Sequence, residues 1–248
     1  PLMLTADEAG PLADSMEHLR NIELACASNW RDLLDQRRKT ISNFTEGLGY
    51  ELRRGLHSAQ RLPAIAAYDE NRCNQVLDTL HSTTQVPTLR LNTVFQQQPW
   101  TRKDWPAALT NMPEDVALQW QRQIDLFQHT NTPPDDRFAK WSLFLISRLL
   151  EREVPIAAGT DTPIGLGIPG YSLHTELELL VASGMTPNQA LYAATVAPTH
   201  FFGNTKQIGQ IKPGMTADLV LLNANPLDDI SNTRNIAGVM SQGVWAYP

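Results

Sequence analysis

The chain has 248 residues, 42% of them hydrophobic, which is enough to bury the core of one large domain or of one domain with a small appendage. Lys and Arg number 20 and Asp and Glu 26, and this acidic, unpatterned balance argues against nucleic acid as a partner. No apolar run approaches the ~18 residues that span a bilayer, so no membrane span is predicted. The two cysteines, Cys26 and Cys73, carry no pairing motif and leave the redox compartment open.

The N-terminus carries neither an initiator Met nor a signal-peptide pattern, since the chain begins at Pro1. We therefore expect that a segment precedes Pro1 in the natural protein or was removed from it. The protein is expected to be soluble, and the sequence does not resolve whether it is cytoplasmic, periplasmic or secreted.

The first part of the chain is predicted to be mainly helical. Residues 5–16 read as a short helix, with Thr5 as N-cap and Glu8 as its capping-box partner. Residues 15–19 read as a short strand, and residues 19–57 are helical in character. Five arginines in this region form a solvated face or, alternatively, a basic patch that nearby acidic residues dilute: Arg31, Arg37, Arg38, Arg53 and Arg54.

The middle of the chain alternates between helices and strands. Helical spacing covers residues 69–83 and 138–152, while residues 86–91 and 155–159 read as strands. This rhythm predicts a parallel sheet covered by helices, although three strands are too few to close an eight-stranded barrel. Residues 92–135 are less regular, and their tryptophans either line a pocket or pack an insertion.

The last 60 residues predict a helix followed by a small β unit. Thr186, Pro187 and Gln189 provide a strong helix start. Residues 212–215 form a type II turn with Pro and Gly at its central positions. Strands are expected over residues 217–222, 237–240 and 244–245.

Asp161 is the strongest candidate for chemistry because it follows the predicted strand that ends near Gly159. Active sites of parallel α/β proteins form at the C-terminal ends of strands, where a carboxylate can bind a metal or accept a proton from a metal-bound water. The alternative is that Asp161 caps the following turn.

His18 and His174 are the other candidates. His18 ends the first predicted strand, and a histidine nitrogen with the Asp161 carboxylate would suit zinc or a similar metal, although a single histidine there is more often structural. His174 enters a helix and is either a substrate-contacting group or a polar residue of the first turn. Nucleophile elbows, phosphate-binding glycine loops and cysteine metal motifs are not found in the sequence.

The sequence resembles the metal-dependent amidohydrolases, most closely their imidazolonepropionase-like and dipeptidase-like members. The matching segments lie mainly between Ile156 and Trp245, and the front of the chain also matches at Pro1–Ala9, Ser15–His18 and Val86–Leu89. The resemblance is weak across residues 20–67 and 92–140. The main segments include Ala158-Gly159-Thr160-Asp161, Ser172-Leu173-His174-Thr175-Glu176-Leu177, Gly184-Met185-Thr186-Pro187, Lys212-Pro213-Gly214, Ala217-Asp218-Leu219-Val220-Leu221 and Asn225-Pro226-Leu227.

The resemblance implies an α/β fold, namely the C-terminal part of a (β/α)8 TIM-type barrel plus strands of a small β-sandwich. Residues 1–203 would be the barrel part with strands six to eight, and residues 204–248 the sandwich part. His18 would be a metal-binding histidine, Asp161 a metal ligand and the general base, and His174 a substrate-binding group. The family also uses a His-x-His motif, a lysine and a further histidine at its metal site. By the resemblance, none of these three lies in residues 1–248.

The function that the resemblance implies is hydrolysis of C–N bonds by a metal-activated water, with one or two divalent ions, most simply zinc. The substrate would be a small-molecule amide, a dipeptide or a cyclic amide, and the enzyme could be a homo-oligomer. Residues 1–248 alone are expected to be inactive, because they hold only two of the ligands. The alternatives are a non-catalytic binding or scaffold protein of this fold, or an inactive fragment.

Overall fold

The computed structural model describes residues 2–130 and 133–247 as a mixed α/β structure. The helices, in chain order, are α1 (Ala6–Ala9), α2 (Ile22–Ala25), α3 (Trp30–Ser42), α4 (Gly49–Ala66), α5 (Glu70–Asp78), α6 (Leu89–Asn92), α7 (Val94–Gln97), α8 (Trp105–Leu109), α9 (Glu114–Gln128), α10 (Arg137–Glu151), α11 (Tyr171–Ala182), α12 (Pro187–Thr195) and α13 (Ala197–Phe201). The strands are β1 (Ser15–Glu17), β2 (Thr84–Val86), β3 (Leu219–Leu222), β4 (Ile236–Ser241) and β5 (Val244–Tyr247). Short 3₁₀ helices cover Gly10–Leu12, Pro99–Thr101 and Ile230–Arg234.

The chain forms two compact units. The first contains residues 1–87 and 140–157, and the second contains residues 88–139 and 158–248. In the first unit, β1 pairs with β2 in parallel, and Gln85 forms a parallel bridge to Ile156. The three predicted segments are therefore parallel neighbours, as expected, although the third forms an isolated bridge at Ile156 and not the strand predicted over residues 155–159.

The prediction of a strand over residues 86–91 is wrong in its second half. The strand ends at Val86, and the chain enters helix α6 at Leu89. Between them, Thr88 adopts a left-handed conformation with φ of 49°. Pro87 cannot donate to a sheet ladder, so a continuing strand would lack a hydrogen bond there.

Helices α1 to α5 and most of α10 supply the apolar interior of the first unit. The predicted helix over residues 5–16 starts as expected, since the Glu8 carboxylate accepts the backbone N–H of Thr5 at 2.8 Å. Its predicted length is wrong, because α1 ends at Ala9 and a 3₁₀ turn leads into β1. One cluster between α2, α3 and α4 consists of Leu24, Ala27, Leu33, Leu34 and Ala64. Leu145, Ile146 and Leu149 of α10 are fully buried, as the helical spacing of residues 138–152 predicts.

Cys26 and Cys73 form a disulfide although no spacing motif announces it. Cys26 ends α2 and Cys73 lies in α5, and both are fully buried. The bond closes a loop with a sequence separation of 47 residues. It therefore cross-links the two ends of the segment that contains α3 and α4.

The interpretation of the arginines as a solvated face is wrong for Arg37, which is only 1% exposed. Its Nε donates to Gln60 Oε1 at 2.8 Å, and its Nη1 donates to Asn21 Oδ1 at 2.6 Å. Beside it, Glu23 is 2% exposed, and its Oε1 lies 3.7 Å from Arg61 Nε. Burial raises the pKa of Glu23, and the charge of Arg61 opposes this. A buried polar network thus ties α2, α3 and α4 together.

The second unit contains a helical segment where the sequence suggested irregular structure. Residues 92–130 form α7, α8 and the 15-residue helix α9. Trp105 and Trp120 are buried in a cluster with Val94, Ile124, Leu166 and Ile168. The tryptophans therefore pack this segment, which was one of the two expectations.

The C-terminal part of the second unit is close to its prediction. Thr186 caps α12, because its Oγ1 accepts the backbone N–H of Gln189 at 3.2 Å. Gly214 has φ of +88°, and Met215 N–H donates to the Lys212 carbonyl, as the predicted turn requires. Strands β3, β4 and β5 form an antiparallel sheet in that order.

The described residues show no closed barrel, as the small number of predicted strands led us to expect. Among them, no helix is both long and apolar enough to cross a bilayer.

The disulfide is expected to stabilise the first unit by restricting its unfolded state. For the 47-residue separation, loop-closure entropy gives about 4 kcal/mol of unfolding free energy. Urea unfolding of the wild type with and without a phosphine reductant measures this, and reduction should lower the midpoint. The Cys26→Ala/Cys73→Ala double variant is the control, since the reductant should not affect it. An unchanged wild-type midpoint would contradict the expectation.

Candidate active site

His18 directly follows β1 in the first unit. Its backbone N–H donates to the Val86 carbonyl at 2.8 Å, which holds the end of β1 against the end of β2. The residue has φ of 66° and is half-buried. His18 thus lies at the C-terminal end of the parallel pair, where its strand position predicted it.

Asp161 lies in the loop that follows the Ile156 bridge. It is half-buried and has φ of 51°. Its carbonyl accepts the backbone N–H of Ile164 at 3.0 Å, which closes a turn. Asp161 lies in the second unit and His18 in the first, so their convergence on one ion remains a prediction.

Three strand ends share an unusual backbone feature. His18, Thr88 and Asp161 each have positive φ although none is a glycine. For a β-branched residue such as Thr88 this conformation is a genuine outlier. Such residues cost about 1–3 kcal/mol each and are concentrated at functional sites, where the surrounding structure holds them in place. Six other non-glycine residues among those that the structure describes also have positive φ, so the feature includes the candidates His18 and Asp161 without singling them out.

Arg90 bonds to the loop that contains Asp161, and we refer to residues 160–165 as the Asp161 loop. Within the second unit its guanidinium donates to four backbone carbonyls: Nε to Thr160 at 2.5 Å, Nη1 to Gly165 at 2.9 Å, and Nη2 to Ile164 at 2.6 Å and to Asp161 at 3.2 Å. Arg90 is 4% exposed, and burial lowers its pKa to about 10. It therefore keeps its charge at neutral pH.

Glu176 binds the backbone of Arg90 from the other side. Its Oε1 accepts the N–H of Leu89 at 2.9 Å, and its Oε2 accepts the N–H of Arg90 at 2.7 Å. Glu176 is fully buried in α11, and this burial raises its pKa to about 7, while the two N–H donors and Arg90 oppose the shift. The first turn of α6 is thus attached to the middle of α11.

His174 lies on α11 beside the 3₁₀ helix Ile230–Arg234. Its Nδ1 is 3.0 Å from Thr233 Oγ1, and the side chain is half-buried. Burial and the charge of Arg234 lower the pKa of His174 to about 4, so the ring is neutral at pH 7. Nearby, Arg234 donates to Glu178 at 2.7 Å and stacks over the Tyr171 ring at 4.9 Å.

A complete metal centre is not formed by the side chains that the structure describes. Over residues 2–130 and 133–247, no group of three or more His, Cys, Asp or Glu side chains is arranged to hold a metal ion. Catalytic zinc usually has three protein ligands and a water. His18 and Asp161 could therefore supply only part of such a site.

Thr88, Arg90 and Glu176 were not singled out from the sequence. Arg90 carries a detectable signal, because it is a charge within the otherwise apolar run of residues 86–91. Glu176 carries another, since it lies one helical turn before Leu180 on a face that proves to be buried. The left-handed backbone of Thr88 could not be predicted, because threonine does not favour that conformation.

Comparison with known proteins identifies the C-terminal part of the chain. Residues 142–246 match the model of the amidohydrolase family. The expected resemblance to these enzymes is therefore confirmed for this segment, which contains both Asp161 and His174.

Two curated relatives are similar over part of the same length. Imidazolonepropionase of Geobacillus kaustophilus (strain HTA426) is 37% identical over 81 residues, which is 31% of this chain and 18% of the relative. Ochratoxinase of Aspergillus niger is 42% identical over 79 residues, which is 31% of this chain and 15% of the relative. The aligned segment thus spans less than a fifth of either relative.

Solved structures share the fold at low sequence identity. The bottromycin amidohydrolase superposes with a TM-score of 0.66 at 19% identity, covering 100% of this chain and 48% of that one. A Xaa-Pro dipeptidase with bound methionine gives a TM-score of 0.51 at 20% identity, covering 75% and 41%. The chain therefore shares its fold with these two proteins and spans about half the length of each.

The raised pKa of Glu176 gives an expected pH dependence of stability. Because the folded-state pKa is about 7 against a model value of 4.5, the folded protein binds the proton more tightly than the unfolded chain. The protonation of Glu176 therefore contributes to the free energy of unfolding. This contribution is full below about pH 4.5 and is lost as the pH rises through about 7, a change of about 3 kcal/mol. Urea unfolding of the wild type across this pH range should show the free energy of unfolding falling as the pH rises. In Glu176→Gln this part of the pH dependence should be absent.

The exposed Glu114 at the start of α9 provides the matched control, since Glu114→Gln should keep the wild-type slope. Parallel curves for the wild type and Glu176→Gln would refute the assignment.

Proposed function

We propose that this protein is a metal-dependent hydrolase that cleaves C–N bonds of amide, dipeptide or cyclic-amide substrates with a metal-activated water. The proposal is carried by Asp161, a half-buried carboxylate in left-handed backbone conformation, which lies in the segment that matches the amidohydrolase family. The names of the similar proteins, an amidohydrolase and a dipeptidase among them, support this class of reaction.

Asp161 is proposed as metal ligand and general base. Its carboxylate would take a proton from the attacking water and pass it to the leaving amine, so that the carboxylate is regenerated when the C–N bond breaks. His18 is proposed as a second metal ligand, and His174 as a substrate-binding group. The low pKa of His174 supports a neutral ring that can donate or accept a hydrogen bond at pH 7.

One or two divalent ions, most simply zinc, would acidify the water and polarise the substrate carbonyl. Because His18 and Asp161 are too few for such a site, we propose that its other ligands come from outside the described residues. The alternative is a non-catalytic binding or scaffold protein or an inactive fragment, and the presence of both His18 and Asp161 favours the enzyme over it.

The proposed architecture is the C-terminal part of a (β/α)8 barrel followed by part of a small β-sandwich. Residues 1–203 would carry barrel strands six to eight, and residues 204–248 would complete the sandwich. The parallel register of β1, β2 and Ile156 supports the first assignment, and the antiparallel sheet β3–β5 supports the second.

The role of Asp161 is tested by Asp161→Asn in the intact protein. Loss of the proton acceptor should lower kcat by about 10²–10⁴-fold on dipeptide or N-acyl amino acid substrates. The exposed Asp115 of α9 supplies the control, because Asp115→Asn should keep wild-type kcat. Near-normal turnover in Asp161→Asn would rule out Asp161 as the base.

The role of His18 is tested by metal analysis. His18→Ala in the intact protein should hold less zinc per chain than the wild type after dialysis, measured by atomic emission. The exposed His81 belongs to the same unit, and His81→Ala should retain the wild-type content. Equal zinc in His18→Ala and the wild type would remove His18 from the ligand set.

A further inference from the structure

We infer that Arg90 is a positioning residue for Asp161: its guanidinium sets the conformation of the Asp161 loop, Glu176 anchors its backbone, and Gly167 leaves the space it occupies. The inference rests on the proposed function of Asp161. It assigns a part in the reaction to residues that do not themselves contact the reacting atoms.

The guanidinium is the centre on which the loop carbonyls converge. Four of its five N–H groups can be assigned to the carbonyls of Thr160, Asp161, Ile164 and Gly165. Carbonyl oxygens that point at one place carry partial negative charges and repel each other unless a cation lies between them. The charge of Arg90 therefore stabilises a loop shape that the backbone alone would not favour.

This shape includes the strained conformation of Asp161. The Asp161 carbonyl accepts from Arg90 and from the Ile164 N–H, at 3.2 Å and 3.0 Å. Both bonds orient the peptide that follows Asp161, whose φ is 51°. Because the Cα position and backbone angles set where a side chain starts, the same bonds fix the point from which the Asp161 side chain extends.

Glu176 and Gly167 define where the guanidinium can lie. The Glu176 carboxylate fixes the N–H groups of Leu89 and Arg90 at the start of the side chain. A Cβ on Gly167 would lie 2.6 Å from Arg90 Cζ, so glycine is required for the guanidinium to approach the backbone this closely. The arginine is thus constrained at both ends.

A lysine could not replace Arg90. Its ammonium is a compact charge with three donors, whereas the four carbonyls belong to residues spread from 160 to 165 and match the planar fork of a guanidinium. The conservative variant should therefore keep the charge and lose most of the positioning.

The experiment combines exchange and kinetics in the intact protein. Arg90→Ala and Gly167→Ala should speed hydrogen–deuterium exchange of the Asp161 loop by about tenfold or more. They should lower kcat by about 10²-fold with little change in KM, as expected for a catalytic group displaced by about 1 Å. Arg90→Lys should fall between these variants and the wild type in both measurements.

Chemical rescue separates positioning from general loss of structure. Methylguanidinium should restore loop protection and kcat to Arg90→Ala, because it can refill the site, whereas methylammonium should not. Neither compound should rescue Gly167→Ala, where the arginine is present and displaced. Should Arg90→Ala fail to fold, Gly167→Ala and Arg90→Lys decide the question by themselves.

Arg148→Ala is the matched control. Arg148 is a half-buried arginine of the first unit, and it bonds to Asn74 and Glu151 there. Its loss should cost thermal stability and leave both the exchange of the Asp161 loop and kcat at wild-type values.

Two results would overturn the inference: wild-type exchange of the Asp161 loop in Arg90→Ala and Gly167→Ala, or faster exchange with wild-type kcat. Failure of the proposed function gives a different result. A wild-type protein without hydrolase activity, or an active Asp161→Asn, would remove the role of Asp161, while the exchange data would still show whether Arg90 holds the loop.

Discussion

Burial of the Arg90 guanidinium is the constraint on which the second unit depends. An isolated charge in a protein interior is costly unless hydrogen bonds and opposite charge compensate it. Here the compensation comes from backbone carbonyls and from the nearby carboxylates of Glu176 and Asp161. The loop must therefore keep its carbonyls turned inward, and helix α6 must begin where Glu176 can bind it. Removing the Arg90 guanidinium would leave the loop carbonyls and the Glu176 carboxylate without the positive charge that compensates them.

The first unit buries a charge with a different set of partners. Arg37 uses the side-chain oxygens of Gln60 and Asn21, which belong to the helical framework. Its network therefore fixes the packing of helices, whereas that of Arg90 fixes a loop. Loops carry functional residues more often than frameworks do, and their precision has to come from such supporting contacts. Of these two buried arginines, Arg90 is therefore the one that contacts the loop of Asp161.

The elements with local signals could be predicted from the sequence. Helix α10, the cap at Thr186, the turn at Gly214 and the C-terminal strands follow from apolar spacing and turn chemistry. Helix α9 was missed although Val116, Trp120 and Ile124 repeat every four residues, because the surrounding prolines and tryptophans suggested irregular structure. The position of Asp161 after a buried strand was also readable.

The contacts that support Asp161 could not be predicted in the same way. Arg90 lies 71 residues from Asp161, and Glu176 lies 86 residues from Arg90. Neither pair shares a periodic pattern, since the bonds involve backbone atoms that every residue type possesses. The left-handed conformations of Thr88 and Asp161 are not signalled by residue type either. A single sequence therefore identifies Asp161 as a candidate carboxylate, but it does not reveal the contacts that hold the loop around it.

The disulfide between α2 and α5 has a consequence for the integrity of the chain after damage. Peptide bonds between Cys26 and Cys73 lie inside a covalent ring, so a single protease cut there releases no separate piece. The exposed residues at the start of α4 lie within this ring, and a nick among them would pass unnoticed on a non-reducing gel. A nicked first unit can thus keep its two halves at high local concentration, with the packing of α2 against α5 still enforced by a covalent bond.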